Sequence, residues 1–472
     1  MTELTRVRER AVDPVVFAVT VLGAFMVALD LSIVNVAFPS MERSFPDSSP
    51  ATLSWVLTAY SVVFGALLLA GGRIADRSGR RRIFFGGLAV FTAGSALCAI
   101  APDPSLLIGG RAVQAVGAAA LLPASLALLL GASRPQSRAA VVSMWGGVSA
   151  LAVATGPSLG SVLIDWGGWR WAFLVNLPVA LVAWLAGRRV LQESAVGGPQ
   201  PDLIGVVTIS LAVAALALGI TQGESWGWTS AGVVGSFLAA VVLAAAAVWR
   251  ASHHPAPAVD LRLFRAPGVA LANAATFFYA IAFFATLLGN ILFLTSVWGY
   301  STLQAGLAFT PGPLVVAALS ARMGRLATRI GFRPVLVTGA LVLATAELAY
   351  ATFVDTTPRY LAVWLPISLL VGLGVAMSFP VLSAAAVAGL PQQHFGMGGA
   401  INQTARQIGS VIGVAVVVAI LGQPTSLGDA LHRSKAVWVV CAVMATLSAV
   451  VSSFQRPAVA EAPAAPVLAE AA

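Results

Sequence analysis

The sequence predicts an all-α integral membrane protein of 14 transmembrane helices: two six-helix bundles related by pseudo-twofold symmetry, with two further helices inserted between them. Three observations predict it. Apolar residues make up 58% of the 472-residue chain and charged residues 10%, too few for the polar surface of a water-soluble core of this length. The apolar residues fall into runs of about twenty, the length that spans a hydrocarbon core of roughly 30 Å. The segment Gly72 to Arg82 also has a weaker copy at Gly324 to Pro334, in which Gly72/Gly324, Arg73/Arg325, Ala75/Ala327, Arg77/Arg329 and Gly79/Gly331 align at a constant offset of 252.

Taken in order, Arg6, Arg8 and Arg10 precede a run at 14–38 that is too long for a signal-peptide core and is expected to remain as a start-transfer helix. Runs at 51–71, 82–101, 105–131, 138–162 and 169–190 complete the first bundle. A polar break from Gln192 to Asp202, carrying Gly197, Gly198, Pro199 and Pro201, leads to the inserted runs at 203–221 and 230–249. A second break, with His253, His254, Pro255, Pro257, Arg262 and Arg265, precedes runs at 268–293, 304–321, 334–354, 359–388, 396–421 and 434–454. The expected organisation is a cytoplasmic segment 1–13, a first bundle 14–190, the inserted pair with its linkers 191–265, a second bundle 266–456 and a disordered Ala/Pro-rich tail 457–472. An even number of spans puts both termini in the cytoplasm.

The net charge of +9 follows from topology. Of the 27 Lys/Arg residues, Arg43, Arg170, Arg359, Arg433 and Lys435 fall outside, Arg111 and Arg406 fall within helices, and all others fall on the cytoplasmic side. This distribution accounts for the basicity without a nucleic-acid partner. Cys98 and Cys441, the only cysteines, lie in apolar runs and form neither a disulfide framework nor a metal-ligand cluster. His253 and His254 have no ligand spacing around them, so no metal or cofactor is expected. No Walker sequence and no intramembrane catalytic constellation is present, which argues against ATP drive and against an enzyme.

Charges at membrane depth are the informative residues, because each costs about 2.5 to 3.5 kcal/mol at mid-helix. Asp30 lies roughly 24 Å from the cytoplasmic end of the first helix, and Arg111 roughly 9 Å down the fourth helix from the outside, at 1.5 Å per residue. These depths nearly coincide, so the two are expected to face one another as a proton-coupling pair or as a structural ion pair. In the second bundle, Glu347 and Arg406 both fall near the midplane. Glu347 is a candidate proton site or a counter-charge for cationic substrates; neutralisation by Arg406 or exposure to a wet cavity would also explain it.

Small residues in Gly156-Pro157-Ser158-Leu159-Gly160-Ser161 allow close helix approach, and Pro157 removes a backbone donor, which predicts a bend or sliding contact. In the segment Gly72 to Arg82, glycines at 71, 72 and 79 permit a tight reversal, and Asp76 is suited to a helix N-terminus. Asn35, Trp55, Tyr60, Gln114, Phe278, Phe283 and Asn290 are candidates to line a central cavity.

In order and spacing, these features resemble the fourteen-helix drug:proton antiporter branch of the major facilitator superfamily. The matching stretches are Leu29 to Pro39, Gly72 to Arg81, Gly110-Arg111-Ala112-Val113-Gln114-Ala115-Val116-Gly117, and Gly156 to Ser161 running into Trp169 to Pro178. Ala115 and Ser161 stand where the family commonly has glycine. The resemblance implies that Asp76, with Gly72, Arg77, Gly79 and Arg80 around it, helps lock the outward-facing state by holding a helix end of the second bundle. It further implies that Arg111 takes part in proton coupling, that the Gly156, Pro157 and Gly160 signature marks export, and that Arg406 is a gating residue. Thr328 replaces the Asp76 equivalent, so a matching lock in the second half should be weaker.

The expected activity is proton-coupled antiport of lipophilic small molecules, such as drugs or antibiotics, by alternating access in the cell membrane. The proton gradient is the energy source and the monomer the functional unit. A 100 mV potential with one pH unit supplies about 3.7 kcal/mol per proton, enough for an export gradient of roughly several hundred-fold. An exporter of an endogenous metabolite or lipid, or a non-transporting membrane sensor, would keep the same fold. Asp30 and Glu347 leave room for monocationic substrates.

Overall fold

The computed structural model describes residues 12–48, 50–194, 202–255, 257, 260–266, 268–422 and 424–455. The expected tail 457–472, most of the N-terminal segment and most of the break before the inserted pair lie outside the described residues. The first bundle comprises α1 (Pro14–Ser44), α2 (Pro50–Ser78), α3 (Arg80–Ala99), α4 (Pro104–Gly131), α5 (Arg138–Gly167) and α6 (Asn176–Val190), with a helical turn at Trp171–Leu174 leading into α6. The inserted pair is α7 (Leu203–Trp226) and α8 (Ala231–His253). The second bundle comprises α9 (Val269–Ser296), α10 (Pro311–Ile330), α11 (Phe332–Phe353), α12 (Leu365–Ala388), α13 (Phe395–Leu421) and α14 (Leu427–Ser453).

Among the described residues, 13 helices are long and apolar enough to cross a membrane, and α5 brings the number to 14 when its two limbs count as one span. The limbs Pro135–Val153 and Ser158–Gly167 meet at 46°. The break falls in the small-residue stretch that predicted a bend; the side chain of Pro157 lies outside the described residues.

Local chemistry sets where the helices begin and end. Asp13 accepts a hydrogen bond from the Val15 amide at 2.7 Å ahead of Pro14, and Asp103 accepts from the Leu106 amide at 3.0 Å ahead of Pro104. Each aspartate satisfies an orphan amide, and the proline occupies a first-turn position that needs no donor. The tight reversal expected over Gly72 to Arg82 is confined to one residue. Positions 72–78 continue α2 as helix, and Gly79 turns the chain alone at φ 109°; Gly331 does the same between α10 and α11 at φ 91°. Both angles lie where glycine alone is unstrained.

Within the first bundle α4 packs on α2 and α3, and α1 packs on α5; within the second, α9 packs on α13 and α14, and α11 on α12 and α14. The bundles meet at two seams, α2 against α13 and α5 against α10 and α12. The inserted pair flanks the first seam, with α7 packed on α2 and α8. Asp202 caps α7 through the Gly205 amide at 2.9 Å and takes Arg250 of α8 at 2.7 Å, tying the two together. At one end of the molecule the apolar core of the first bundle runs without interruption into Ala384, Val387, Leu390, Phe395, Met397 and Ala400 of the second. Toward the other end the seam widens around a cavity, with Thr302–Phe309 of the second bundle still packed on α5.

Candidate functional site

The parted seam forms a cavity of about 1510 Å³. Its mouth is marked by Arg43, Asp165, Ser301 and Gly422, and its inner wall by Ala24, Phe64, Leu122, Ser149, Phe379 and Arg406. Because α1 starts at the closed end, Arg43 near its other end puts the mouth on the opposite face. Ile220, Thr221 and Trp228 bring the inserted pair into the wall. Of the residues expected to line the cavity, Asn35 and Phe283 do so. The others lie elsewhere. Tyr60 and Gln114 are buried inside the first bundle, and Asn290 is buried in the second, where its Oδ1 accepts from Trp438 Nε1 at 2.8 Å. Trp55 and Phe278 are partly buried outside the lining, the latter against Phe277 at 5.3 Å between ring centres.

Behind the α1 wall lies a closed polar cluster. Arg111 Nη1 meets Asp30 Oδ2 at 2.6 Å, and both side chains are essentially unexposed, at 1% and 0%. One turn along α4, Gln114 offers its Oε1 to Arg111 at 2.6 Å and donates from Nε2 to Asp30 Oδ1 at 2.7 Å. Two further groups complete the cluster: Asn176 Nδ2 donates to Asp30 Oδ1 at 2.9 Å, and Ser95 Oγ accepts from Gln114 at 2.8 Å. Arg111 Nε donates to the Val56 carbonyl at 3.1 Å, and its guanidinium lies 4.0 Å from the Tyr60 ring centre. This density of partners is what a buried ion pair requires, since the Coulomb gain alone does not offset desolvation. Asn176 and Ser95 were absent from the expected site. A polar residue opening the apolar run 176–187 was the available signal for Asn176.

The second bundle holds its acid differently. Glu347 is fully buried, its Oε1 stands 2.6 Å from Thr286 Oγ1, and its Oε2 has no partner. It neither lines the cavity nor pairs with Arg406, so neither explanation of how it is tolerated holds. Arg406 instead lies in the inner cavity wall, donating from Nη2 to Ser383 Oγ at 2.5 Å, with its guanidinium 4.3 Å from the Phe379 ring centre.

At the closed end, Asp76 reaches from α2 to the start of α13. Its Oδ1 accepts from the Gly396 amide at 3.1 Å and its Oδ2 from the Met397 amide at 2.9 Å, where the helix dipole favours a carboxylate. Arg80 braces it at 2.9 Å and also donates across the seam to the Gln392 carbonyl at 2.6 Å. Gly72 permits this approach: a Cβ there would stand 2.7 Å from the Gly396 carbonyl oxygen. Gly79 makes the turn that follows, and half-buried Arg77 does not join the latch. Gly156 and Gly160 lie within one bundle rather than between the two, facing Ser32 and Ile33 of α1.

Two bundles of membrane-length apolar helices around a seam cavity define a multi-pass membrane protein. The profile of the Major Facilitator Superfamily matches residues 20–414 and 271–467, and the chain belongs to that superfamily. It is 35% identical over 422 residues to the multidrug resistance protein Stp of Mycobacterium tuberculosis (strain ATCC 25618 / H37Rv), covering 89% of this chain and 78% of that one. To the methylenomycin A resistance protein of Bacillus subtilis (strain 168) it is 30% identical over 411 residues, covering 86% and 87%. Among solved structures, the human organic anion transporter MFSD10 (TETRAN) superposes with a TM-score of 0.66 at 17% identity, over 93% of this chain and 100% of that one. The chain is thus a transporter of small molecules, not an enzyme.

Proposed function

We propose that the chain exports lipophilic small molecules, of the drug or antibiotic kind, in exchange for protons, by alternating access between its two bundles. The observation that carries this reading is the cavity of about 1510 Å³ on the bundle seam, open at one face and closed at the other by the Asp76 latch. Arg73, Arg77, Arg80, Arg81 and Arg82 gather at the closed face, which the positive-inside tendency makes cytoplasmic. The conformation is then outward-facing, and both termini are cytoplasmic. Resistance and multidrug relatives at 30 to 35% identity support an export direction and a lipophilic cargo.

Asp30 and Glu347 are the proton sites of this mechanism. Asp30 sits one residue from Leu31, which lines the cavity, so rotation of α1 would exchange its Arg111 contact for solvent. Glu347 is buried with Thr286 Oγ1 2.6 Å from its Oε1 and with Oε2 unpartnered, surroundings that a neutral carboxylic acid tolerates better than a carboxylate.

Inverted vesicles test the reading. An imposed acid interior should drive uptake of the neutral lipophilic dye Nile red, an uncoupler should abolish it, and correctly inserted Asp30→Asn and Arg111→Ala should lack it. Uptake indifferent to the proton gradient would refute antiport.

A further inference from the structure

Among the described residues, the inner cavity carries one formal charge, and it is positive. Among the charged residues lining the cavity, Arg43 and Asp165 stand at the mouth, and Arg406 alone lies at depth beside Phe379. Its guanidinium is incompletely satisfied. Only Nη2 donates a hydrogen bond, to Ser383; Nε is buried without a partner, and among the described residues no carboxylate forms an ion pair with it. The acids of the two bundle interiors are not available to it, since Asp30 is held by Arg111 and Glu347 by Thr286, each behind the cavity wall. Gln403, one helical turn earlier on α13, also lines the cavity and has a buried Oε1 without a partner.

A guanidinium in a largely apolar cavity has lost much of its hydration, so a ligand carboxylate would gain charge-assisted hydrogen bonds that water does not fully replace. A ligand ammonium would meet uncompensated repulsion there. Phe283, Phe284 and Phe379 form a contiguous aromatic cluster, with ring centres 4.9 Å apart for Phe283 and Phe379, next to the same guanidinium. We propose that Arg406 makes this cavity selective for lipophilic monoanions, with the carboxylate on Arg406 and the aromatic or aliphatic body against Phe283, Phe284 and Phe379. This inverts the expectation that the membrane acids would admit monocations: those acids face the bundle interiors, whereas the unpaired cation faces the cargo.

The inference refines the cargo of the export reading, and its test separates the two. Purified full-length protein in detergent is titrated with three probes that share one apolar body: 1-pyrenebutyrate, 1-pyrenebutanol and 1-pyrenebutylamine. Binding is read by quenching of tryptophan fluorescence. The butyrate should bind at least about tenfold more tightly than the alcohol, the scale of one charge-assisted hydrogen bond, and the amine more weakly than either. Arg406→Gln should bring butyrate and alcohol to the same affinity, and Arg406→Lys should retain most of the preference. Equal binding of the three probes, or preference for the amine, in the unaltered protein would overturn the proposal even if Arg406→Gln failed to fold. So would a butyrate preference that survives in Arg406→Gln. Proton-driven movement of the neutral alcohol in vesicles is the separate control: its failure would count against export, whereas equal binding with intact export would remove only the charge selectivity.

Discussion

The two seams between the bundles are built alike and fastened differently. At the first, a Cβ on Gly72 of α2 would stand 2.7 Å from the Gly396 carbonyl oxygen; at the second, one on Gly324 of α10 would stand 2.7 Å from that of Ala139 on α5. Both helix pairs therefore approach through a glycine at the same point of the repeat. At the first seam, Asp76 bridges to the Gly396 and Met397 amides of the facing helix. At the second, Thr328 turns back and donates to the Arg325 carbonyl of its own helix at 2.7 Å, and the N-cap Ser137 of α5 makes no side-chain cap bond. Close packing and latching are thus separable. The repeat supplies the first at both seams, and one carboxylate supplies the second at one seam only.

The buried acids differ in the same way. Asp30 accepts from Arg111, Gln114 and Asn176, whereas Glu347 has Thr286 as its hydrogen-bond partner and one oxygen without any. A carboxylate needs the first environment, and a neutral carboxylic acid tolerates the second.

Breaking the first bundle's cluster should have the largest effect. Arg111→Ala leaves Asp30 as an uncompensated buried charge and should destabilise the protein by about 3 to 5 kcal/mol, seen as a lower midpoint of thermal unfolding in detergent. A variant that unfolds like the unaltered protein would show that water reaches Asp30 freely. Next comes the latch. Asp76→Ala removes charge-assisted bonds worth about 1.5 to 3 kcal/mol each and should shift the population away from the closed end. Spin-label distances between the starts of α3 and α13 should then broaden, and an unchanged narrow distribution would mean that apolar packing alone holds the seam.

Copying the latch sharpens the contrast. Thr328→Asp restores a carboxylate at the repeat position matching Asp76 and should add about 0.3 to 1 kcal/mol to the closed state through the dipole of α5, slowing turnover in vesicles. Faster or unchanged turnover would separate the two seams in mechanism as well as in fastening. Glu347→Gln should be the mildest, costing under about 1 kcal/mol in stability, because the amide is of similar size and keeps an oxygen for the Thr286 hydroxyl. Infrared spectroscopy at neutral pH should show a protonated carboxyl band that this substitution removes.

Much of the site was legible because charge in a membrane is costly enough to need a reason. Depth arithmetic brought Asp30 and Arg111 to one level, and glycine spacing with Asp76 pointed to a seam. A neutral polar group is cheaper to bury, so Asn176, although inside the Trp169 to Pro178 stretch, and Ser95 joined the Asp30 cluster only with the structure. The cavity lining was the poorest reading. Asp30 and Asn35 share α1 and are both polar, yet five residues turn a helix by about 140°, so one faces the bundle interior and the other the seam.

The sequence by itself determined the membrane-spanning class, the helices, their internal repeat and the common depth of Asp30 and Arg111, because hydropathy and charge cost act locally or along one axis. Tertiary structure decided which face of each helix meets the core, the seam or the cavity, because those choices depend on the rotation of packed helices about their axes. That rotation leaves Glu347 with Thr286 and turns Arg406 into the cavity.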